Sequence, residues 1–503
     1  MSERLGQYRN AEPAVMTIFG ATGDLSQRKL LPALFTLAHN RLLPKGFRLI
    51  GAARNDLGAE GFRRLAEQAI SKHARNQPVD KRSLHEFCSQ LDYQQLEFSH
   101  PAGFDQLKAK LVDLAQAGDS QGNLLFHCAT PPSTYSDIVR QLKSAGLEKG
   151  EGFRRIIVEK PFGSDRRSAV ALNRLLEGVF PESSVYRIDH YLGKETVQNI
   201  LAFRFANAVF EPTWNCRFID HLQITVAEPL GIGGRAAYYE QAGALRDIIQ
   251  NHAFQLLALV AMEPPVSLDA DSVRDEKVKV LKAIHPFSSD AEVAECTVRG
   301  QYGAGTMGGE KVGGYRDEPN VAAGSETETY AALKLEVDNW RWAGVPFYFR
   351  TGKRLPEQLT EIRAQFKCPP HLAFTPDQTR ELEANSMTLR IQPEEGISLR
   401  FGAKVPSPGG VEIRSVNMNF DYSTSFVAQA ADAYERLILD CLVGDPTLFT
   451  RADEVERAWA LVDPIESAWG EGKPPLEMYP AGSWGPEAAD RLLERSGRRW
   501  HCS

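Results

Sequence analysis

A short apolar run, followed at once by a glycine-containing turn and a helical pattern, constrains the fold of this 503-residue chain. Residues 15–19 (VMTIF) predict a buried strand, GATGDL follows directly, and Leu30, Leu34 and Leu37 then recur at helical spacing. Further strands are predicted in FRLIGAAR, NLLFHCAT and RRIIVEKPFG, with helical runs before the last two. Strands that alternate with helices predict a parallel sheet wound on both faces.

The pattern changes after about residue 186. From about Cys296 the chain carries a series of predicted strands: ECTVRGQY, TYAALKLEV, VPFYFRTG, TEIRAQFK, SMTLRIQ and GISLRFG. Many strands without intervening helices predict a mixed or antiparallel sheet in an α+β domain. We therefore expect one domain over residues 1–188 and a larger one over residues 189–503, with the glycine-rich stretch 303–314 as a long surface connection.

Composition excludes several classes of function. A net charge of −7 and a pI near 6.0 argue against a nucleic-acid or membrane surface. The N-terminus lacks the apolar core of a signal peptide. Seven scattered cysteines never form CxxC, and no HExxH occurs, so neither a disulfide framework nor a metal site is predicted. These features indicate a cytoplasmic protein.

The turn after the first strand is a candidate phosphate-binding site. Gly20 would allow the tight turn, and Gly23 would let the backbone approach a pyrophosphate at the helix N-terminus. The alternative stays open, because two glycines are common in strand–helix turns and G-x-x-G departs from the G-x-G-x-x-G motif. Arg54 ends the next strand, where a guanidinium suits the 2′-phosphate of NADP, although an exposed loop cation is also common. Lys160, in EKPFG, ends a later strand on the nicotinamide side.

A second candidate site lies in RIDHYLGKE. If a helix begins near Asp189, then His190 and Lys194 share a face and Tyr191 lies beside them. Three donors at a helix N-terminus could bind a phosphate monoester. A capped surface helix with Asp189 as its N-cap is the alternative.

The segment GALRDIIQNHAFQLL carries a histidine on an apolar stripe. His252 shares this stripe with leucine and isoleucine side chains, which is typical of a core histidine but also of a partly buried general base. Asp247 and Asn251, on the neighbouring face, could bind hydroxyl groups. Lys353, at the end of VPFYFRTGK, offers a further cation.

Taken together, these motifs closely resemble the glucose-6-phosphate dehydrogenase family. The segments that carry the resemblance run in family order from about Ile18 to Ile465: GATGDLSQRKLLPALF, EKPFG, RIDHYLGKE, GALRDIIQNH, DNWRWAGVPFYFRTGKRL and AYERLILDCLVGDPTLFTRADEVERAWALVDPI. The resemblance implies an α/β Rossmann-like N-terminal domain and a larger α+β C-terminal domain with a mostly antiparallel sheet. It also implies oxidation of D-glucose 6-phosphate at C1 to 6-phospho-D-glucono-1,5-lactone, with hydride transfer to NADP+, as the first step of the pentose phosphate pathway.

The same resemblance implies a role for each matching residue. His252 matches the base that removes the C1 hydroxyl proton, and Asp189 matches the carboxylate that orients it. Substrate contacts are implied for His190, Tyr191, Lys194, Glu228, Asp247, Lys353 and Lys160. Cofactor contacts are implied for Gly20, Ala21, Thr22, Gly23, Asp24, Leu25, Ser26, Gln27, Arg54 and again Lys160, with Lys29 as a further lysine on the cofactor side. Family members associate through the second domain, which implies a homodimer or homotetramer.

Three positions depart from the family pattern. Gln358 stands where a second cation is frequent, with Arg354 as a candidate replacement. Ser26 and Gln27 stand where Ala and Lys are frequent.

Two other functions remain open at this point. One is an oxidoreductase of the broader group of EKP-bearing sugar enzymes acting on another sugar. The other is a non-enzymatic NADP sensor, which predicts loss of at least one of Asp189, Lys194 and His252, all of which are present.

Overall fold

The structure, a computed structural model, describes residues 11–116, 120–406, 408, 410–426 and 431–501. The first ten residues, on which the prediction of no signal peptide rests, and Cys502 lie outside this part of the chain. The chain divides into two compact units. Unit 1 comprises residues 1–194, 267–274 and 431–455, and unit 2 comprises residues 195–266, 275–430 and 456–503.

Unit 1 is built on a six-stranded, fully parallel sheet. Its strands are β1 (Val15–Phe19), β2 (Arg48–Ala53), β3 (Leu91–Gln95), β4 (Leu124–Cys128), β5 (Arg154–Glu159) and β6 (Val185–Ile188). They lie in the order β3-β2-β1-β4-β5-β6. The helices between them are α1 (Leu31–His39), α2 (Gly58–His73), α3 (Lys81–Ser89), α4 (Pro101–Gln116), α5 (Tyr135–Ser144) and α6 (Arg166–Glu177). A π-helical turn, Ser26–Leu30, leads into α1. This is the predicted Rossmann-like fold, because each strand from β1 to β5 is followed by a crossover that returns to the same sheet.

Unit 2 contains most of the remaining elements. Its strands are β7 (Ile219–Ala227), β8 (Thr297–Gly303), β9 (Gly305–Met307), β10 (Glu310–Val312), β11 (Tyr330–Glu336), β12 (Pro346–Gly352), β13 (Leu359–Phe366), β14 (Ser386–Gln392), β15 (Gly396–Lys404), β16 (Ile413–Asp421) and β17 (Glu477–Pro480). Nine of them form one sheet in the order β16-β15-β14-β13-β7-β12-β11-β8-β17. Only the β7–β12 and β8–β17 pairs of this sheet are parallel, which confirms the mostly antiparallel sheet.

The later helices follow in chain order: α7 (Glu195–Phe205), α8 (Ala236–Ala244), α9 (Phe254–Ala261), α10 (Ala270–Ala283), α11 (Asp290–Cys296), α12 (Tyr422–Ser425), α13 (Ala433–Val443), α14 (Ala452–Gly470) and α15 (Glu487–Glu494). A nine-residue π-helical segment, Leu245–Ala253, joins α8 to α9. Short 3₁₀ turns occupy Pro132–Thr134, Glu182–Ser184, Glu211–Thr213, Gly233–Arg235, Tyr315–Asp317 and Pro376–Thr379. Among the described residues no helix is both long and apolar enough to cross a membrane.

Two local predictions are wrong. The stretch 303–314 is not a plain connection, because β9 and β10 pair as an antiparallel hairpin within it. Gly308 and Gly309 form its turn with φ values of 56° and 87°, a conformation that glycine adopts without steric cost. The helix expected near Asp189 begins instead at Glu195. Residues 189–194 form successive turns, in which the Leu192 N–H donates to the Asp189 carbonyl oxygen at 3.0 Å and the Lys194 N–H to that of Tyr191 at 3.1 Å.

Candidate active site

The strand order of unit 1 creates a place for a ligand at the ends of β1 and β4. These two strands are neighbours in the sheet, but the chain leaves them toward opposite edges, through β2 on one side and β5 on the other. The loops that follow them therefore diverge and leave a crevice, which is where open α/β sheets bind ligands. The GATGDL turn follows β1 directly and so lies at this crevice.

The backbone of that turn requires glycine at its first position. Gly20 has φ +83°, and a Cβ built there would lie 2.4 Å from the Ala129 carbonyl oxygen at the end of β4. The Gly20 N–H donates to the Ala52 carbonyl oxygen at 2.8 Å, which ties the turn to β2. The Gly23 N–H donates to Gly20 at 2.9 Å, and the chain is helical from Asp24. The tight turn and helix N-terminus predicted from the sequence are thus present.

The side chains of Ser26 and Gln27 stabilise the same turn by donating hydrogen bonds to its backbone. The buried Ser26 hydroxyl donates to the Gly20 carbonyl oxygen at 3.0 Å, and the Gln27 amide donates to that of Thr22 at 2.8 Å. Thr22 Oγ1 in turn donates to Asn55 Oδ1 at 3.2 Å, which links the turn to the end of β2. These contacts fix the shape of the turn without placing a positive charge in it.

Two predicted cofactor residues lie at the carboxyl ends of β2 and β5, on either side of the β1–β4 pair. Arg54 follows β2 and is exposed, next to the Asn55 that the turn contacts. Lys160 follows Glu159, the last residue of β5, and is half-buried. The Glu159 carboxylate is held in the interior by His127 Nε2 at 2.9 Å and by the Tyr434 hydroxyl at 3.2 Å. The strand end that carries Lys160 is therefore anchored from two sides.

The residues of RIDHYLGKE come together in the turns after β6. Asp189 is buried, and its Oδ1 accepts from the Tyr191 N–H at 3.0 Å, so it caps a turn and not a helix. The rings of His190 and Tyr191 meet edge to face at 5.1 Å, and the Lys194 ammonium lies 3.8 Å from the Tyr191 ring centroid. Four of the predicted site residues thus share one small region of unit 1.

In unit 2, three predicted substrate residues form an ion-pair cluster around the buried Lys353. The Lys353 ammonium, at the end of β12, contacts Glu228 Oε2 and lies 3.4 Å from Asp247 Oδ2. Lys353 is only 3% exposed, so its charge is compensated by carboxylates and not by water. The Tyr238 hydroxyl donates to Asp247 Oδ1 at 3.1 Å. Burial, followed by the charge of Asp247, raises the pKa of Tyr238, so this phenol stays a hydrogen-bond donor.

His252 lies on the π-helical segment and is 1% exposed. Hydrogen bonds in a π-helix span five residues, so Asp247 and His252 are one turn apart on the same side. In an α-helix, five residues would separate them by about 140°. Asn251 is used within the segment, because its amide donates to the Arg246 carbonyl oxygen at 2.9 Å and its Oδ1 accepts from the His252 N–H at 2.6 Å.

Comparison with known proteins accounts for this arrangement. The sequence model of the glucose-6-phosphate dehydrogenase NAD binding domain matches residues 17–199, and that of the glucose-6-phosphate dehydrogenase C-terminal domain matches residues 201–501. Glucose-6-phosphate 1-dehydrogenase 2 from Mycobacterium tuberculosis (strain ATCC 25618 / H37Rv) is 47% identical over 494 residues, which are 98% of this chain and 95% of that protein. The chain belongs to the glucose-6-phosphate dehydrogenase family.

Other members of the glucose-6-phosphate dehydrogenase family agree over similar lengths. The enzyme from Treponema pallidum (strain Nichols) is 46% identical over 491 residues, covering 97% of this chain and 95% of its own. A solved structure of a glucose-6-phosphate dehydrogenase in complex with its substrate glucose-6-phosphate aligns with a TM-score of 0.90 at 37% identity, covering 98% of this chain and 99% of that one. The resemblance seen in the sequence is therefore confirmed over nearly the whole chain.

The structure shows the surroundings of one departure from the pattern of the glucose-6-phosphate dehydrogenase family, Gln358, and of its candidate replacement Arg354 and the cofactor-side Lys29. Arg354 has φ 53°, and its guanidinium lies 3.5 Å from the Glu318 carboxylate, so its charge is already engaged. Gln358 is exposed. The Lys29 ammonium pairs with Asp432 at 3.1 Å, which compensates part of its charge.

Sequence reasoning missed one residue of the unit 2 cluster. Tyr238 precedes Asp247 by nine positions, and only the break between α8 and the π-helical segment brings its hydroxyl to that carboxylate. The glycine at 243 was the available signal, because glycine inside a helical pattern often marks such a break.

Proposed function

We infer that the chain oxidises D-glucose 6-phosphate at C1 to 6-phospho-D-glucono-1,5-lactone, with hydride transfer to NADP+, the first step of the pentose phosphate pathway. The observation that carries this inference is the match to the family over nearly the full length of the chain. The tight turn at the sheet crevice and the ion-pair cluster around Lys353 support it independently.

The residues around the β1 turn fit a dinucleotide phosphate. Gly20 and Gly23 have no side chain to cover the backbone at the start of a helix, where N–H groups are available to an anion. We assign cofactor contacts to residues 20–27, to Arg54 and to Lys160. Arg54 is exposed at the position where a guanidinium can pair with a 2′-phosphate, which favours NADP over NAD.

We assign the proton transfer to His252. A hydride can leave C1 only as the C1 hydroxyl loses its proton, because the carbon then becomes the carbonyl of the lactone. A neutral imidazole accepts that proton at physiological pH, and a carboxylate on the other ring nitrogen stabilises the resulting cation. Asp189 is our choice for this carboxylate.

The remaining polar residues would hold the substrate. His190, Tyr191 and Lys194 supply the donors that a phosphate monoester requires, and Lys353 and Lys160 are further cations for the substrate. Glu228 and Asp247 accept hydrogen bonds from sugar hydroxyls, while Lys353 limits their mutual repulsion. A substrate fixed at both ends presents C1 in one orientation, which lowers the entropic part of the barrier.

We further propose that residues 1–188 are the NADP-binding domain and residues 189–503 the substrate-binding and oligomerisation domain of a cytoplasmic homodimer or homotetramer. No nucleic acid or membrane partner is proposed, in keeping with the net charge of −7. Light scattering on the purified chain measures its oligomeric state, and a monomer would contradict this part of the proposal.

The test of the activity is an absorbance assay for reduced cofactor. Purified protein is given glucose 6-phosphate, glucose or galactose, each with NADP or NAD. We expect turnover of glucose 6-phosphate, with NADP preferred. Equal turnover of free glucose would contradict the assigned substrate, and cofactor binding without turnover of any sugar phosphate would favour a sensor.

A further inference from the structure

One carboxylate outside the cluster described above holds the start of the segment that carries Asp247 and His252. Glu328 Oε1 accepts from the Leu245 N–H at 3.1 Å, and the Glu328 carbonyl oxygen accepts from the Ala244 N–H at 3.0 Å. The first residues of a helix have N–H groups without partners inside it. Glu328 therefore satisfies two of them, one with its side chain and one with its backbone.

The chain is shaped to admit this carboxylate. Gly243 interrupts α8 with φ 58° and ψ −176°. A Cβ built on Gly243 would lie 2.0 Å from Glu328 Oε1, closer than any side chain could tolerate. The break in the helix and the position of the carboxylate thus depend on each other.

The residue after Glu328 holds the other partner of the ion pair. The Lys353 N–H donates to the Thr329 carbonyl oxygen at 2.9 Å. The Tyr479 hydroxyl donates to the Lys353 carbonyl oxygen at 2.7 Å and lies 3.1 Å from Thr329 Oγ1. Two adjacent residues, Glu328 and Thr329, therefore connect the helix of Asp247 to the strand end of Lys353, whose ammonium lies 3.4 Å from Asp247.

A second carboxyl group, that of Glu466, contacts the start of the π-helical segment through Arg246. Arg246, next to Leu245, pairs with Glu466 at 3.0 Å. Burial raises the pKa of Glu466 to about 8 and also raises the pKa of Glu328. Glu328 is thus a partly buried residue whose carboxyl accepts a hydrogen bond from the protein backbone. It has no assigned part in the reaction described above.

We propose that Glu328 is a positioning residue: by accepting from Leu245 it sets the π-helical segment against Lys353 and thereby places Asp247 and His252. The inference rests on the proposed function, because its effect is read in the turnover of glucose 6-phosphate. In this role Glu328 acts only through other residues. The length of its side chain, which brings an acceptor oxygen to the Leu245 N–H, matters more than its charge.

Two substitutions separate reach from charge. Glu328→Gln keeps the length and an acceptor oxygen, whereas Glu328→Asp keeps the charge but is one methylene shorter. We expect E328D to lower kcat for glucose 6-phosphate about tenfold and to raise its KM, since misplacement on the order of 1 Å has effects of this size or larger. We expect E328Q to stay within about twofold of the unmodified protein. The KM for NADP should not change in either variant, because its proposed contacts lie in unit 1.

Glu361→Gln is the matched control. Glu361 is a buried carboxyl on β13 of the same unit, 2% exposed, whereas the Leu245 N–H donates to Glu328. The Glu361→Gln substitution should leave kcat and KM for glucose 6-phosphate unchanged. Thermal unfolding of all three variants records any loss of stability. Wild-type kinetics in E328D, or a loss in E328Q equal to that in E328D, would overturn the inference. An unmodified protein without activity toward glucose 6-phosphate would instead count against the proposed function.

Discussion

Lys353 lies between two carboxylates, and this arrangement determines what each of the three residues can do. The Lys353 ammonium is held by its pairing with Glu228 and Asp247. The ammonium, in turn, lies between the two carboxylates and reduces the repulsion between them. At the scale of single residues, this part of the site is therefore one cation shared by two carboxylates, with a buried histidine on the same segment as one of them.

The histidine gives the first prediction. Replacing His252 with Asn should lower kcat for glucose 6-phosphate about 10²–10⁴-fold, because no other group is assigned to take the hydroxyl proton. The KM should change little, since the residues assigned to bind the phosphate are intact. Steady-state assays at saturating NADP measure both constants. Substitution of the exposed His85 by Asn is the control, and near-normal turnover of H252N would refute the assigned base.

The second prediction concerns the cofactor. Arg54→Ala should raise the KM for NADP about tenfold or more and leave the KM for NAD nearly unchanged, since only NADP carries the 2′-phosphate that a guanidinium can pair with. Initial rates with each cofactor give the comparison. Arg64, an exposed arginine on α2, serves as the control when changed to Ala. Equal losses with both cofactors would show that Arg54 does not contact the 2′-phosphate.

At the scale of elements, the turn between β1 and α1 depends on its backbone conformation. Gly20 adopts φ +83°, and its Cα faces the Ala129 carbonyl oxygen at the end of the neighbouring strand. Ser26 and Gln27 then close the turn with side chain to backbone hydrogen bonds. The strand–turn–helix pattern of the sequence located this turn, but only the structure shows that the Ser26 and Gln27 side chains stabilise it.

The third prediction follows from this turn. Gly20→Ala should lower the free energy of unfolding by about 2–4 kcal/mol, from the left-handed backbone and from the contact with Ala129. It should also weaken NADP binding, because the shifted turn no longer presents its N–H groups as before. Chemical unfolding and cofactor titration measure the two effects. Gly234→Ala, at a position with open space and no positive φ, should change neither, and a fully stable G20A would contradict the steric argument.

At the scale of the whole chain, the C-terminal segment returns to the centre of the large sheet. Arg498 pairs with Asp220 at 2.9 Å, and Gln223 on β7 bonds both the Arg499 carbonyl oxygen and the His501 N–H at 2.8 Å. Burial, then the charges of Arg363, Arg400 and Arg350, lowers the pKa of His501 to about 4. Docking this segment thus keeps an imidazole uncharged where an unfolded chain would protonate it.

The fourth prediction uses that difference. Below its ordinary pKa of 6.5, His501 takes up a proton in the unfolded chain but not in the folded one until the pH approaches 4. The free energy of unfolding should therefore fall as the pH falls through this window. His501→Gln should show a weaker fall, because Gln has no proton to bind, while the backbone bonds of residue 501 remain. Denaturant titrations at several pH values measure the slopes, and identical slopes would contradict the assignment.

Some elements escaped the sequence patterns for physical reasons. β3 (LDYQQ) and β17 (EMYP) are short and polar, and β16 lies at a sheet edge where most of its side chains are exposed, so none shows a buried apolar run. The turns of residues 189–194 resembled a helix start because the same residue types favour both. At Gly193 a Cβ would lie 2.7 Å from the Ala433 carbonyl oxygen on α13, so this position requires glycine because of a close approach between residues 240 positions apart in the chain.

The sequence alone determined the alternation of strands and helices in the first domain, the strand-rich second half and the family, because each follows from local periodicity or from contiguous motifs. The tertiary structure decided the rest: the π-helical winding that puts Asp247 and His252 on one side, the place of Tyr238, and the hold of Glu328 on Leu245. These features depend on hydrogen bonds and contacts between residues far apart in the chain, and no pattern of neighbouring residues records them.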